Sequence, residues 1–129
     1  MEKVKLQAQY GLYINGEWRN ASDGATYNAE SPADGSHLAV CAQGSREDVE
    51  AASAAAWEAF KTWKKTTPAQ RAALLNKIAD IIDANKEHLA MVESMDNGKP
   101  IRETMNVDIP MAAEHFRYFA GCILAEEGQ

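Results

Sequence analysis

Cysteine and histidine are both scarce, and neither type is grouped. Cys41 and Cys122 lie far apart, with no CxxC partner and no His at metal-ligand spacing. Free thiols of this kind read as buried packing residues, and neither has an identifiable base nearby to make it a nucleophile. His37, His88 and His115 each lack a second His or Cys three or four positions away, so surface or hydrogen-bonded structural roles are expected for them rather than ligation. Basic blocks are missing too. Thirteen Lys plus Arg are interleaved with nineteen Asp plus Glu for a net charge of −6, which leaves nothing to track a phosphate backbone and excludes nucleic acid as a partner. No apolar run approaches the roughly 18 residues of a membrane span, and Met1 to Tyr10 holds no signal-like apolar core. The expectation is a cytoplasmic chain with no membrane partner. No G-x-G-x-x-G or comparable phosphate loop occurs either.

What is present is an ordinary globular mixture, 46% hydrophobic and 25% charged, in which two patterns follow one another. Residues 11–42 have a β character. Asn15-Gly16 between Leu12-Tyr13-Ile14 and Glu17-Trp18-Arg19 signals a hairpin, because both residues tolerate the positive φ of a type I′ turn. Ser22-Asp23-Gly24 and Ser31-Pro32-Ala33-Asp34-Gly35 mark further turns. Between them Ala25 to Asn28 is expected to pair back, and His37 to Ala42 reads as a strand.

From Ser45 the period becomes helical. Ser45-Arg-Glu-Asp48 has the form of a capping box, and Val49, Ala52, Ala56, Phe60 and Trp63 then trace one apolar stripe over a helix of about 18 residues. Trp57 and Trp63 are expected to pack, with Trp18 against that helix. Thr67-Pro68-Ala69-Gln70 repeats the cap. Leu75, Ile78, Ile82, Leu89 and Val92 continue the spacing to about Met95, with a possible break near Asn85. Asp96-Asn97-Gly98-Lys99-Pro100 is a stop, with Gly98 suited to a left-handed residue. A third helical region runs from Ile101 to about Glu126; Pro110 should restart or kink it, with Asp108 as a new N-cap. The aromatics of Arg117-Tyr118-Phe119 are assigned to packing, since no basic groove surrounds them. The fold class is therefore α+β: a small β-hairpin region over about 11–42, then three or four amphipathic helices over about 45–126.

Three of these stretches, in this order and separation, carry a resemblance: Tyr13-Ile-Asn-Gly-Glu-Trp18, Ser31-Pro-Ala-Asp-Gly35 and Asp96-Asn-Gly-Lys-Pro100, followed by Arg117-Tyr-Phe-Ala-Gly121. Along essentially its whole length the chain resembles the N-terminal quarter of the aldehyde dehydrogenase family. Ile-Arg-Glu-Thr104 and His115-Phe-Arg-Tyr-Phe-Ala-Gly-Cys-Ile123 look most like the bacterial acetaldehyde-type members. The resemblance implies an intact protein with an α/β Rossmann-type fold that oxidises small aldehydes to acids with NAD or NADP. A Cys thiolate, a Glu base and an oxyanion-stabilising Asn would do the chemistry, all beyond residue 129. Residues 1–129 would be the N-terminal part of the cofactor-binding domain, with catalytic and oligomerisation domains absent, no cofactor bound by this chain and no activity of its own. A homodimer or homotetramer is implied for the intact protein.

The resemblance also carries over five positions. Asp96 matches a carboxylate that helps hold a monovalent cation, with backbone carbonyls at Ala29 and Glu30; turn chemistry alone would make Asp96 the cap of its Asn-Gly turn. Val107 and Met111 match the wall of an aldehyde entry tunnel, whereas apolar residues four apart on a helix are more often core. The rival class is a helical module that self-associates through apolar faces left uncovered.

Overall fold

The computed structural model describes residues 4–125, so the expected helix end at Glu126 lies outside the described residues. Two compact units result, one spanning Lys5–Lys65 and the other residues 66–125 together with Val4.

In the first unit the Asn-Gly hairpin forms as its sequence requires. Strands β2 (Leu12–Ile14) and β3 (Glu17–Arg19) pair antiparallel with Tyr13 opposite Trp18. Asn15 and Gly16 take φ of 54° and 82°, the twin positive values of a type I′ turn. Trp18 meets Tyr13 in a tilted ring contact with centroids 5.0 Å apart, so its aromatic partner is the cross-strand tyrosine rather than the helix expected from the sequence.

A separate three-stranded sheet has the order β1 (Gln9–Tyr10), β5 (His37–Ala42), β4 (Thr26–Glu30). Strand β4 pairs with the following β5 and not back onto the hairpin. The Ser31–Gly35 turn causes this: Gly35 N–H donates to the Ser31 carbonyl at 2.8 Å and lays the next segment antiparallel to β4. The β4–β5 ladder breaks register between Ala29 and Glu30.

Helix α1 (Arg46–Trp63) begins with the full capping box: Ser45 Oγ accepts from Asp48 N–H at 3.2 Å, and Asp48 Oδ2 accepts from Ser45 N–H at 3.0 Å. A cap of this kind stabilises by about 1 kcal/mol. The apolar stripe behind it is not covered within the unit. Val49, Phe60 and Trp63 are exposed and Trp57 retains 69% of its accessible surface, which corrects their assignment to packing. Buried side chains here are small, among them Ala21, Ala39 and Ala42, and the largest is Asp48.

The second unit is helical. Thr67 and Gln70 close another capping box ahead of α2 (Pro68–Ala84). At Asn85 the backbone leaves helical values (φ −112°, ψ 15°), and its side chain donates to the Ile81 carbonyl at 2.8 Å, separating α2 from α3 (Lys86–Asn97). Helix α5 (Ile109–Leu124) packs along α2 through small residues. Ala72 and Ala79 on one side and Ala113 and Ala120 on the other are buried and repeat every seventh position, two turns apart, so each pair shares a helix face. Arg117 donates to Asp80 at 2.9 Å and Asp83 at 2.7 Å across the same pair of helices. Tyr118 and Phe119 lie on the outer side, exposed and in edge contact with each other at 5.3 Å; they do not fill the core. Cys122 is exposed and Cys41 half-buried, so neither is the fully buried thiol expected.

Candidate functional site

The residues matched to a tunnel wall sit where the second unit departs from regular helix. Gly98 ends α3 in the left-handed conformation (φ 78°, ψ 7°), as its place in the Asn-Gly-Lys-Pro stop requires. Asn97 Oδ1 accepts from Lys99 N–H at 2.8 Å and so caps that turn. Asp96, the residue expected from turn chemistry to do this, is exposed, and its carboxylate has no hydrogen-bond partner among the described residues.

A single turn, α4 (Ile101–Glu103), leads into a π turn over Thr104–Asp108 and then into α5. Ile109 N–H donates to the Thr104 carbonyl, five residues back, which is the widened bond that defines a π turn. The widening accommodates Pro110, whose ring would otherwise clash with the carbonyl four residues earlier. Asp108 is therefore not an N-cap. It keeps right-handed helical angles (φ −63°, ψ −53°) and makes no capping bond; instead it accepts from Lys99 Nζ at 2.8 Å. That bond raises the Lys99 pKa above its ordinary value.

Thr104 anchors the turn. It is completely buried, and its single hydroxyl proton is shared between the carbonyls of Ala90 (3.0 Å) and Ile101 (3.2 Å), with Ser94 Oγ at 2.8 Å. No sequence signal marked it, because among Arg102, Glu103, Asn106 and Asp108 a threonine looks like one more polar surface position. Val107 and Met111, one turn apart, retain 41% and 46% of their surface. Neither belongs to the core of this chain, contrary to the reading from spacing alone. His115 is exposed, its Nδ1 within 2.7 Å of the Met111 carbonyl, a local structural bond.

The other two matched positions, Ala29 and Glu30, belong to the first unit, at the break in the β4–β5 register. Ala29 pairs with Ala39 and Glu30 with His37, so the residue left over at the break is Leu38 of β5. The first unit also contains a feature that sequence reasoning saw only in part. Asp48, 2% exposed, accepts from Ser22 N–H at 3.0 Å and Arg19 Nη2 at 2.9 Å in addition to its cap bonds. The Ser45 and Ser22 amides, followed by the Arg19 guanidinium, hold its carboxyl well below the usual carboxylate range.

Residues 18–129 match the model of the aldehyde dehydrogenase family. The chain belongs to that family. It corresponds to an N-terminal segment of it. Among its relatives, a long-chain-aldehyde dehydrogenase of an Acinetobacter species is 48% identical over 98% of this chain and 25% of its own. Acetaldehyde dehydrogenase 2 of Cupriavidus necator is 46% identical over 93% and 24%, respectively. The solved NAD+ complex of an aldehyde dehydrogenase from Bacillus cereus superposes with a TM-score of 0.90 at 39% identity, over 94% of this chain and 25% of that one. The chain thus spans about a quarter of the length of the curated relatives it matches.

A dinucleotide site does not fit the residues described. The parallel pair β1–β5 is joined through a hairpin and β4 rather than a crossover helix. Among the described residues the one passage from strand to helix is β5 to α1, and the Asp48 carboxylate already accepts from the Ser45 amide at that helix start, where its charge would repel a phosphate. Three or more His, Cys, Asp or Glu positioned to hold a metal ion are likewise not found among the described residues. No described helix is long and apolar enough to cross a membrane.

Proposed function

We propose that this chain is the N-terminal part of the cofactor-binding domain of an enzyme that oxidises small aldehydes to carboxylic acids with NAD or NADP. The observation that carries the reading is the family match across residues 18–129, supported by the NAD+ complex of the Bacillus cereus relative. In this reading the intact enzyme is cytoplasmic and assembles as a homodimer or homotetramer. In that enzyme a Cys thiolate would carry the thiohemiacetal and thioester and a Glu would activate the hydrolytic water, while bound NAD or NADP would supply the hydride acceptor. An Asn amide stabilises the oxyanion. All three residues are supplied from outside this chain, which alone is inactive.

Two roles fall to the residues present. Val107 and Met111 form part of an apolar wall along which the aldehyde enters, a role supported by their exposure on one side of the widened helix. Asp96 contributes an oxygen donor to a monovalent cation, a role supported by its exposed carboxylate, which has no hydrogen-bond partner among the described residues. A second reading, the self-associating helical module, draws on the exposed aromatics of α1 and α5. Assay of the natural polypeptide carrying this chain, beside the isolated 129 residues, tests the proposal by aldehyde-dependent formation of reduced nicotinamide. Turnover by the former and none by the latter is expected. A natural polypeptide that is inactive towards every aldehyde would refute the enzyme reading and leave the module.

A further inference from the structure

The π turn sets which way Val107 and Met111 face. It spaces its bonds five residues apart instead of four, so relaxing it to regular helix would rotate one flank against the other by about 100°. What stands against that relaxation is specific. Thr104, at the start of the turn, is fully buried and tied to Ala90 and Ser94 of α3, while Asp108, at its end, is held by Lys99 beyond the same helix. A buried hydroxyl with partners on both its donor and acceptor sides is costly to displace, so the turn is clamped at both ends.

We propose that Thr104 is a positioning residue for aldehyde selectivity: through its bonds to α3 it pins the π turn and so fixes the apolar wall made by Val107 and Met111. The proposal rests on the reading of those two residues as the entry wall. It is tested in the natural full-length enzyme with short and long straight-chain aldehydes. Thr104→Val keeps the shape and removes the hydroxyl; it is expected to change the long-to-short ratio of kcat/KM by about tenfold, the scale of one misplaced methylene contact. The KM for the nicotinamide cofactor should stay unchanged, and Thr104→Ser should restore the ratio.

Lys99→Gln, on the exposed side, loosens the other end and should move the ratio in the same direction by a smaller factor, which keeps the test open if Thr104→Val does not fold. Val107→Trp serves as the control on the wall itself and should cut turnover of long aldehydes. If Val107→Trp changes nothing, the wall reading fails and the proposal with it. If Val107→Trp alters selectivity while Thr104→Val and Lys99→Gln leave it unchanged, the wall stands and the positioning role is wrong. Equal loss on every aldehyde, with cofactor KM raised and no rescue by serine, would reduce Thr104 to a packing residue.

Discussion

Asp48 shows how much one side chain can organise. As the third residue of α1 it completes a capping box, a role its sequence position announces, yet the same carboxylate also accepts from Ser22 and from Arg19 at the end of β3, more than two dozen residues away. The second role was not legible, because nothing local in Arg19-Asn-Ala-Ser22 points to a distant acceptor. Its depressed pKa has a definite consequence for stability. A carboxylate whose folded pKa lies below its unfolded value contributes stability that is fully present above the unfolded pKa, about 3.9, and lost as pH falls through the folded value. Asp48→Asn should therefore lower the thermal midpoint at neutral pH, and the difference from the parent should shrink below roughly pH 4. Melting curves between neutral and strongly acidic pH measure it; two curves that stay parallel throughout would show that the charge contributes nothing.

Elements defined by local chemistry were the readable part of this fold. The Asn-Gly hairpin, both capping boxes, the break at Asn85 and the glycine stop at Gly98 all form where their residues predict. Elements defined by pairing or burial were not. Strand β4 pairs with the β5 that follows it, the irregularity expected at Pro110 takes the form of a π turn before α5 with no capping bond from Asp108, and the stripe on α1 is uncovered. Periodicity reports which face of a helix is apolar, not whether the partner for that face lies within the same stretch of chain. The α2–α5 pair illustrates a partner that does. Its seam is built from alanines, Ala79 with no exposed surface at all, so the helices approach closely and have no room for a longer side chain. Ala79→Leu is expected to cost about 1–3 kcal/mol by overpacking. Denaturant titration reads the loss, and a stability equal to the parent's would mean that the seam yields where it is described as tight.

For the molecule as a whole, the buried residues are mostly alanine while the large aromatics are outside, an inversion of what a self-sufficient domain of this composition does. Trp57 and Phe60 in one unit and Tyr118 and Phe119 in the other are exposed, with Trp57 at 69% and Tyr118 at 67%. The candidate positions share this exposure: Val107 and Met111 retain 41% and 46% of their surface, and the Asp96 carboxylate has no hydrogen-bond partner among the described residues. Family membership explains the pattern, since relatives of about four times the length have further chain with which such faces can be covered. Clustered apolar surface drives association when left in water. The isolated 129-residue polypeptide should accordingly associate as its concentration rises, and Trp57→Lys with Tyr118→Lys should shift that association to higher concentration, because each replaces an exposed ring with a charge that resists desolvation. Light scattering over a concentration series decides the matter. A parent polypeptide that stays monomeric throughout would mean that these aromatic faces are satisfied by water, and that the chain does not need the longer protein its relatives possess.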